Sequence, residues 1–180
     1  ISSLLNLQSD YIRDPESLEV LAESRNRVRS MALIHEKLYQ SSDLARIDFA
    51  DYLRSLTRSL QQSYSKKSRG VQIAVEVDDV MLGVDSAVPC GLIVNELVTN
   101  CFKYAFPADT GGEIHIGMKR EGEEGLVLSV ADNGVGFPKD VDIKTTESLG
   151  MQIITTLADQ LDGNIQMFNG SGTQIGRAHV

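Results

Sequence analysis

Val88-Pro-Cys-Gly-Leu-Ile-Val-Asn-Glu-Leu-Val-Thr-Asn-Cys-Phe-Lys-Tyr-Ala-Phe106 is the stretch on which the reading of this chain turns. Glu96, Asn100 and Lys103 fall at i, i+4 and i+7 within it, so on a helix the three side chains share one side. Ile93, Leu97, Cys101 and Ala105 make the opposite, apolar side. An acid, an amide and a cation beside a core are costly unless something pairs with them. A metal-bound polyphosphate uses all three, which points to a nucleotide.

Around this helix, expected over Ala87 to Phe106 with Pro89 tolerated in its first turn, the period changes several times. Ile1 to Ile12 reads as a helix with Leu4, Leu7 and Tyr11 on one face, broken by Arg13-Asp-Pro15. Glu16 to Gln40 reads as a long second helix, in which Leu21, Ser24, Val28, Met31, His35 and Leu38 form a coiled-coil seam. Such a hairpin has too little core to stand alone, and a dimeric four-helix bundle completes it. Ser41 to Asp48 is a linker and Phe49 to Tyr64 a third helix. Val71–Val77 alternates like a strand, and Met81–Val84 is a shorter one. Glu113–Lys119 and Leu126–Ala131 form a strand pair, and Asp132–Glu147 is too rich in Gly and Asp for regular structure. Leu149–Leu161 is a helix, Asn164–Phe168 a strand, and Asn169-Gly-Ser-Gly172 turns into another. The expected class is α+β: a helical hairpin over residues 1–45, then a two-layer α/β sandwich over 46–174.

The chain has 180 residues and a formal net charge of −8, which disfavours a nucleic-acid partner. Lys66-Lys67-Ser68-Arg69 is a short basic run read as a solvated loop. The two cysteines, Cys90 and Cys101, fit no metal-site spacing and read as buried thiols of a reducing compartment. No signal peptide or membrane span is recognisable, so a cytoplasmic location without direct membrane contact is expected.

Four motifs follow in order: Glu96-Leu-Val-Thr-Asn100 with Lys103; Asp132-Asn-Gly-Val-Gly136; Ser148-Leu-Gly150 opening a helix; and Gly172-Thr173 after a turn. Asn100 offers a neutral oxygen to Mg²⁺, which takes the rest of its shell from phosphates and water. Lys103 neutralises phosphate as a point charge. Asp132, at a strand end, can accept a hydrogen bond from the exocyclic amine of adenine. Gly134 and Gly136 permit close backbone approach, and Gly150 lies at a helix N-terminus, where phosphate is favoured. Taken singly these are a polar face, a turn and an N-cap; the order and spacing together give them weight.

In that order the motifs resemble the N, G1, G2 and G3 boxes of the ATP-binding (GHKL, or Bergerat) fold shared by gyrase, the large heat-shock chaperone, mismatch-repair ATPases and histidine kinases. Ser24-Arg-Asn-Arg-Val-Arg-Ser-Met-Ala-Leu-Ile-His-Glu-Lys-Leu-Tyr39, Ile47-Asp-Phe49 and Pro89 to Asn100 narrow the resemblance to sensor histidine kinases of the HWE-like group. It implies that ATP binds with Mg²⁺ under a lid, here roughly Gly134 to Ser148. It further implies that the γ-phosphoryl passes to a histidine and then to an aspartate of a response regulator, within a homodimer. Asn100 is then the metal ligand, Lys103 meets phosphate, Asp132 reads adenine, Thr173 supports the adenine pocket, and Glu96 is the catalytic acid that orients the attacking imidazole.

The family's accepting histidine precedes the segment Ile-Ser-Ser-Leu-Leu-Asn-Leu-Gln that opens this chain. The remaining histidines are His35 at a seam position, His115 on an exposed strand face, and His179. A fragment that binds ATP without autophosphorylating is therefore expected. Residues 175–180 break the alternation of a closing strand and match a sequencing-adapter reading frame, so a non-native tail is expected there. The competing readings are a hydrolysing ATPase of the same fold and a non-catalytic nucleotide-binding dimerisation module.

Overall fold

The computed structural model describes residues 2–40, 46–64, 69–107, 110–122, 125–136, 148–169 and 173–176. Helix α1 spans Ser2–Ser9 and α2 spans Pro15–Gln40. The first helix stops three residues before the expected Ile12, and Tyr11 is left exposed. Asp14 starts the second, its carboxylate accepting from the Ser17 N–H at 2.8 Å, with Pro15 at the first helical position, where no N–H is needed. Arg25 on α2 donates to Asn6 on α1 at 2.9 Å.

Strand β1 (Arg46–Asp48) pairs antiparallel with β3 (Met81–Gly83). It lies in what reads as a linker, because three residues carry too little alternation to announce a strand. Asp48 caps helix α3 (Phe49–Ser63) through the Asp51 N–H at 2.9 Å. Strand β2 is Val71–Val77, β4 Gly112–Glu121, β5 Gly125–Asp132, β6 Gln166–Asn169 and β7 Thr173–Gly176. They form a five-stranded sheet in the order β2-β4-β5-β7-β6, with β2 parallel to β4 and every other neighbour antiparallel. Ile114, Ile116 and Met118 of β4, with Leu126, Leu128 and Val130 of β5, turn one sheet face into the core, as period-two alternation requires.

Helix α4 (Val84–Asn100) covers that face beside α3 and α5 (Leu149–Gln160). It begins about a turn earlier than expected, so Pro89 sits inside the helix rather than in its first turn. After Asn100 the helix loosens into one π-helical turn, Cys101–Ala105, of the kind often found at functional sites.

The long helix α2 turns only part of its expected seam to the rest of the chain, Leu38 packing against the core. Asn26, Ser30 and Ile34 are its buried residues, whereas Met31 and His35 are exposed. Its buried face packs on α3 and α4, where Lys37 pairs with Asp51 at 2.6 Å and the Tyr52 hydroxyl donates to the Ser30 carbonyl at 3.4 Å. Gly91 makes room for that tyrosine, since a Cβ there would lie 2.2 Å from the Tyr52 hydroxyl.

The expected boundary at residue 174 falls inside β7. Ile175 pairs with Val130 and Met167, and Gly176 with Ser129 and Gln166. Residues 177–180, the rest of the expected tail, lie outside the described residues. Among the described residues no helix is long and apolar enough to cross a membrane.

Candidate nucleotide-binding site

The expected site residues come from α4, the π-turn, the end of β5 and the start of α5. Glu96 is buried, whereas Asn100 and Lys103 lie half-buried at the end of the helix. Asp132 closes β5, opposite Ile114 of β4. Its Oδ1 accepts from the Gly134 N–H at 2.9 Å, and its Oδ2 is approached by the Cys101 thiol at 3.7 Å. Burial pushes the Cys101 thiol up, and the charge of Asp132 pushes it further, so it stays protonated and remains a donor.

The loop after Asp132 is fastened to its surroundings at every step. Asn133 exchanges hydrogen bonds with Glu113: its N–H reaches the Glu113 carbonyl at 3.2 Å, and its side-chain oxygen takes the Glu113 N–H at 2.8 Å. The Val135 N–H donates to the Ala105 carbonyl at 3.0 Å. Gly134 allows this approach, because a Cβ at that position would sit 2.2 Å from the same carbonyl oxygen. Gly136 has φ +77°, a conformation that glycine adopts without strain.

Ser148 caps α5, accepting from the Met151 N–H at 3.4 Å. Gly150, in the first turn, lies directly over Glu96: a Cβ there would be 3.1 Å from Glu96 Oε2. The positive end of a helix dipole is thus brought to the carboxylate and to α4. Thr173 opens β7. Most of the expected lid, residues 137–147, lies outside the described residues.

Two members of the site have partners that the sequence reading missed. Arg27 of α2 forks onto Glu96, Nε to Oε1 and Nη2 to Oε2, both at 2.8 Å, and Asn95 Nδ2 adds a third bond at 2.9 Å. The hydrogen bond to Glu96 raises Arg27 above the ordinary guanidinium range against the opposing effect of burial. Lys103 pairs with Glu23 and, at 3.2 Å, with Glu19, both on α2. Burial alone would lower the lysine, but the two carboxylates outweigh it and raise it. Glu23 also meets Arg27 at 3.3 Å, so a continuous network runs Lys103–Glu23–Arg27–Glu96. The signal was present in the sequence: Glu19, Glu23 and Arg27 are spaced by fours, a polar row on α2 matching the one on α4.

Among the described residues no group of three or more His, Cys, Asp and Glu could hold a metal ion.

Residues 86–177 match the family model described as histidine kinase-, DNA gyrase B-, and HSP90-like ATPase. The chain belongs to this family. Residues 1–64 match a second model, described as histidine kinase, so this family member pairs the ATP-binding fold with a histidine-kinase hairpin. The chain is 31% identical over 169 residues to the sensor histidine kinase PdtaS of Mycobacterium tuberculosis, covering 93% of this chain and 33% of that protein. It is 26% identical over 147 residues to blue-light-activated histidine kinase 2 of Erythrobacter litoralis, covering 77% of this chain and 42% of that protein. The chain thus spans about a third of the length of the first of these relatives. The histidine kinase domain of a blue-light activated histidine kinase from Erythrobacter litoralis has the same fold, with a TM-score of 0.76 at 21% identity over 98% of this chain and 92% of that one. The description of the matched model is that of an ATPase family, which fits a nucleotide site on this fold.

Proposed function

We propose that this chain is the ATP-binding and phosphoryl-transferring core of a sensor histidine kinase in two-component signalling. The observation that carries the reading is the convergence of Asn100, Lys103, Asp132, Gly134 and Gly150 around the C-terminal half of α4, next to a helical hairpin. Asp132 would read the adenine amine, with Thr173 behind the pocket, and Lys103 and the α5 N-terminus would meet phosphate. Asn100 would be the protein ligand of Mg²⁺, which when bound neutralises phosphate charge. The protein's share of catalysis is positioning and charge neutralisation.

Glu96 is the proposed catalytic acid for orienting an imidazole. A hydrolase of this fold would need that carboxylate to face water, and here Arg27 and Asn95 engage both of its oxygens in a buried position. An imidazole would need that carboxylate as much as water does, so the kinase reading is supported instead by the histidine-kinase match over residues 1–64. The proposed acceptor is a histidine outside these 180 residues; His35 and His115 are exposed on α2 and β4, away from the α4 site, and acid-labile label on this chain alone would move the role to one of them. The phosphoryl group would pass on to the aspartate of a response regulator. Leu4, Leu7, Val20 and Met31 of the hairpin are exposed, and we propose that a second copy covers them in a cytoplasmic homodimer.

The test is titration with ATP and Mg²⁺, followed by γ-labelled ATP with this chain alone and with a chain extended at its N-terminus. Expected are nucleotide binding by both and acid-labile label on the extended chain alone. Steady phosphate release without labelled protein would instead support an ATPase.

A further inference from the structure

Resting on the nucleotide reading above, we infer that Glu23 of α2 holds the place of a nucleotide phosphate on Lys103, and that nucleotide binding displaces it and loosens α2 from α4. Lys103 is the cation offered to phosphate, yet its side chain is only 9% exposed and is already taken by Glu19 and Glu23. A phosphate therefore cannot reach it as a simple addition. The cluster Glu19, Glu23, Glu96, Arg27 and Lys103 carries three acids and two bases, one net negative charge. A polyphosphate brought into it is repelled unless a carboxylate gives way.

Glu23 is the carboxylate whose departure has the widest effect, because it contacts both Lys103 and Arg27. Losing it breaks the link between the two cationic groups and leaves the pairs Glu19–Lys103 and Arg27–Glu96 to hold α2 there. Apart from these pairs, the α2–α4 contact is largely polar. It buries Asn26 and Ser30 on one side and Asn95 and Thr99 on the other, and Asn95 Oδ1 has no hydrogen-bond partner among the described residues. By linkage, whatever the nucleotide does to the docking of α2, docking does to nucleotide affinity by the same factor.

The experiment is calorimetric titration of a non-hydrolysable ATP analogue with Mg²⁺ into the wild-type chain, Glu23→Gln and Glu16→Gln. Hydrogen exchange of α2 is measured with and without the analogue. Glu16 is an exposed acid in the first turn of the same helix and controls for simple charge removal. Expected are affinity raised roughly fivefold or more by Glu23→Gln, no such change in Glu16→Gln, and faster exchange in wild-type α2 when the analogue binds. Equal affinities in Glu23→Gln and wild type, an equal gain in Glu16→Gln, or slower exchange of α2 on binding each overturn the displacement while leaving nucleotide binding intact. No binding by any of the three proteins overturns the nucleotide reading and the displacement with it.

Discussion

Replacing Arg27 by alanine tests the claim that hairpin and ATP-binding fold are joined through a buried ion pair. Arg27 and Glu96 are 12% and 4% exposed at their side chains and make two parallel bonds of 2.8 Å. Removing the arginine strands a carboxylate in the interior with the Asn95 amide as its remaining donor. Breaking a buried pair in this way costs about 3–5 kcal/mol, and the partial exposure of Arg27 puts the expected loss at about 3 kcal/mol. In a chain of this size each kcal/mol moves Tm by roughly 2–4 °C, so a fall of roughly 6–12 °C is expected. Arg27→Lys keeps the charge but loses the fork, and should recover less than half of the deficit. Adding Glu96→Gln to Arg27→Ala removes the stranded charge, so the double variant should be more stable than Arg27→Ala alone. Thermal and urea melts of the four proteins decide it. An Arg27→Ala variant within about 0.5 kcal/mol of wild type, or a Glu96→Gln change that adds its full cost on top of Arg27→Ala, refutes the reasoning.

Asp132→Asn should weaken ATP binding by roughly ten- to a hundredfold, since a hydrogen bond to a charged acceptor is worth about 1.5–3 kcal/mol; the fold should survive because an amide oxygen can still take the Gly134 N–H. Titration with ATP checks this, and unchanged affinity removes Asp132 from the adenine site. Gly134→Ala should be disruptive, because its Cβ meets the Ala105 carbonyl oxygen at 2.2 Å, backbone that cannot step aside; a loss of about 1–3 kcal/mol is expected in melts, together with loss of nucleotide binding. Burial pushes the Cys90 thiol from 9.0 up to about 12. The unfolded chain therefore gives up this proton first, and the contribution is complete below about pH 9 and is lost as pH rises toward 12. Cys90→Ala should make the alkaline decline shallower, by up to about 1.4 kcal/mol per pH unit, and melts from pH 8 to 10 showing parallel curves would contradict it.

How much of this was legible in the sequence follows from the range of the interactions. The apolar side of α4 and the alternation of β4 and β5 are local periodicities, and they placed Glu96, Asn100, Lys103 and Asp132 on the right elements. The start of α4 was misread because Pro89 suggests a first turn, whereas tertiary packing carries the helix across it. Strand β1 has a single buried residue, Ile47, which no periodicity argument can weigh. The facing of α2 had two competing signals in the sequence. The helix carries a seam of Leu21, Val28 and Leu38 and a polar face of Glu19, Glu23 and Arg27, and burial of the second is profitable only where Glu96 and Lys103 wait for it. The pair Arg27 and Glu96 is 69 residues apart in the chain, and nothing local announces it.

The ionic character of the α2–α4 contact bears on what can release it. An apolar seam between the two helices would be indifferent to anions, and an exposed ion-pair seam would dissolve in ordinary salt. This contact is neither. Its lysine and its glutamate are 9% and 4% exposed, so the bulk salt atmosphere reaches them poorly. An anion able to compete must itself be bound beside Lys103, held there by groups that do not depend on α2. Asp132 and the first turn of α5 are such groups, because their contacts among the described residues run to Gly134, Cys101, Met151 and Glu96. With Asp132 holding the base as proposed, a nucleotide would present its phosphates at high local concentration, whereas free phosphate would lack that anchor. On that proposed role of Asp132, the geometry that buries the network would favour an anion carrying an adenine.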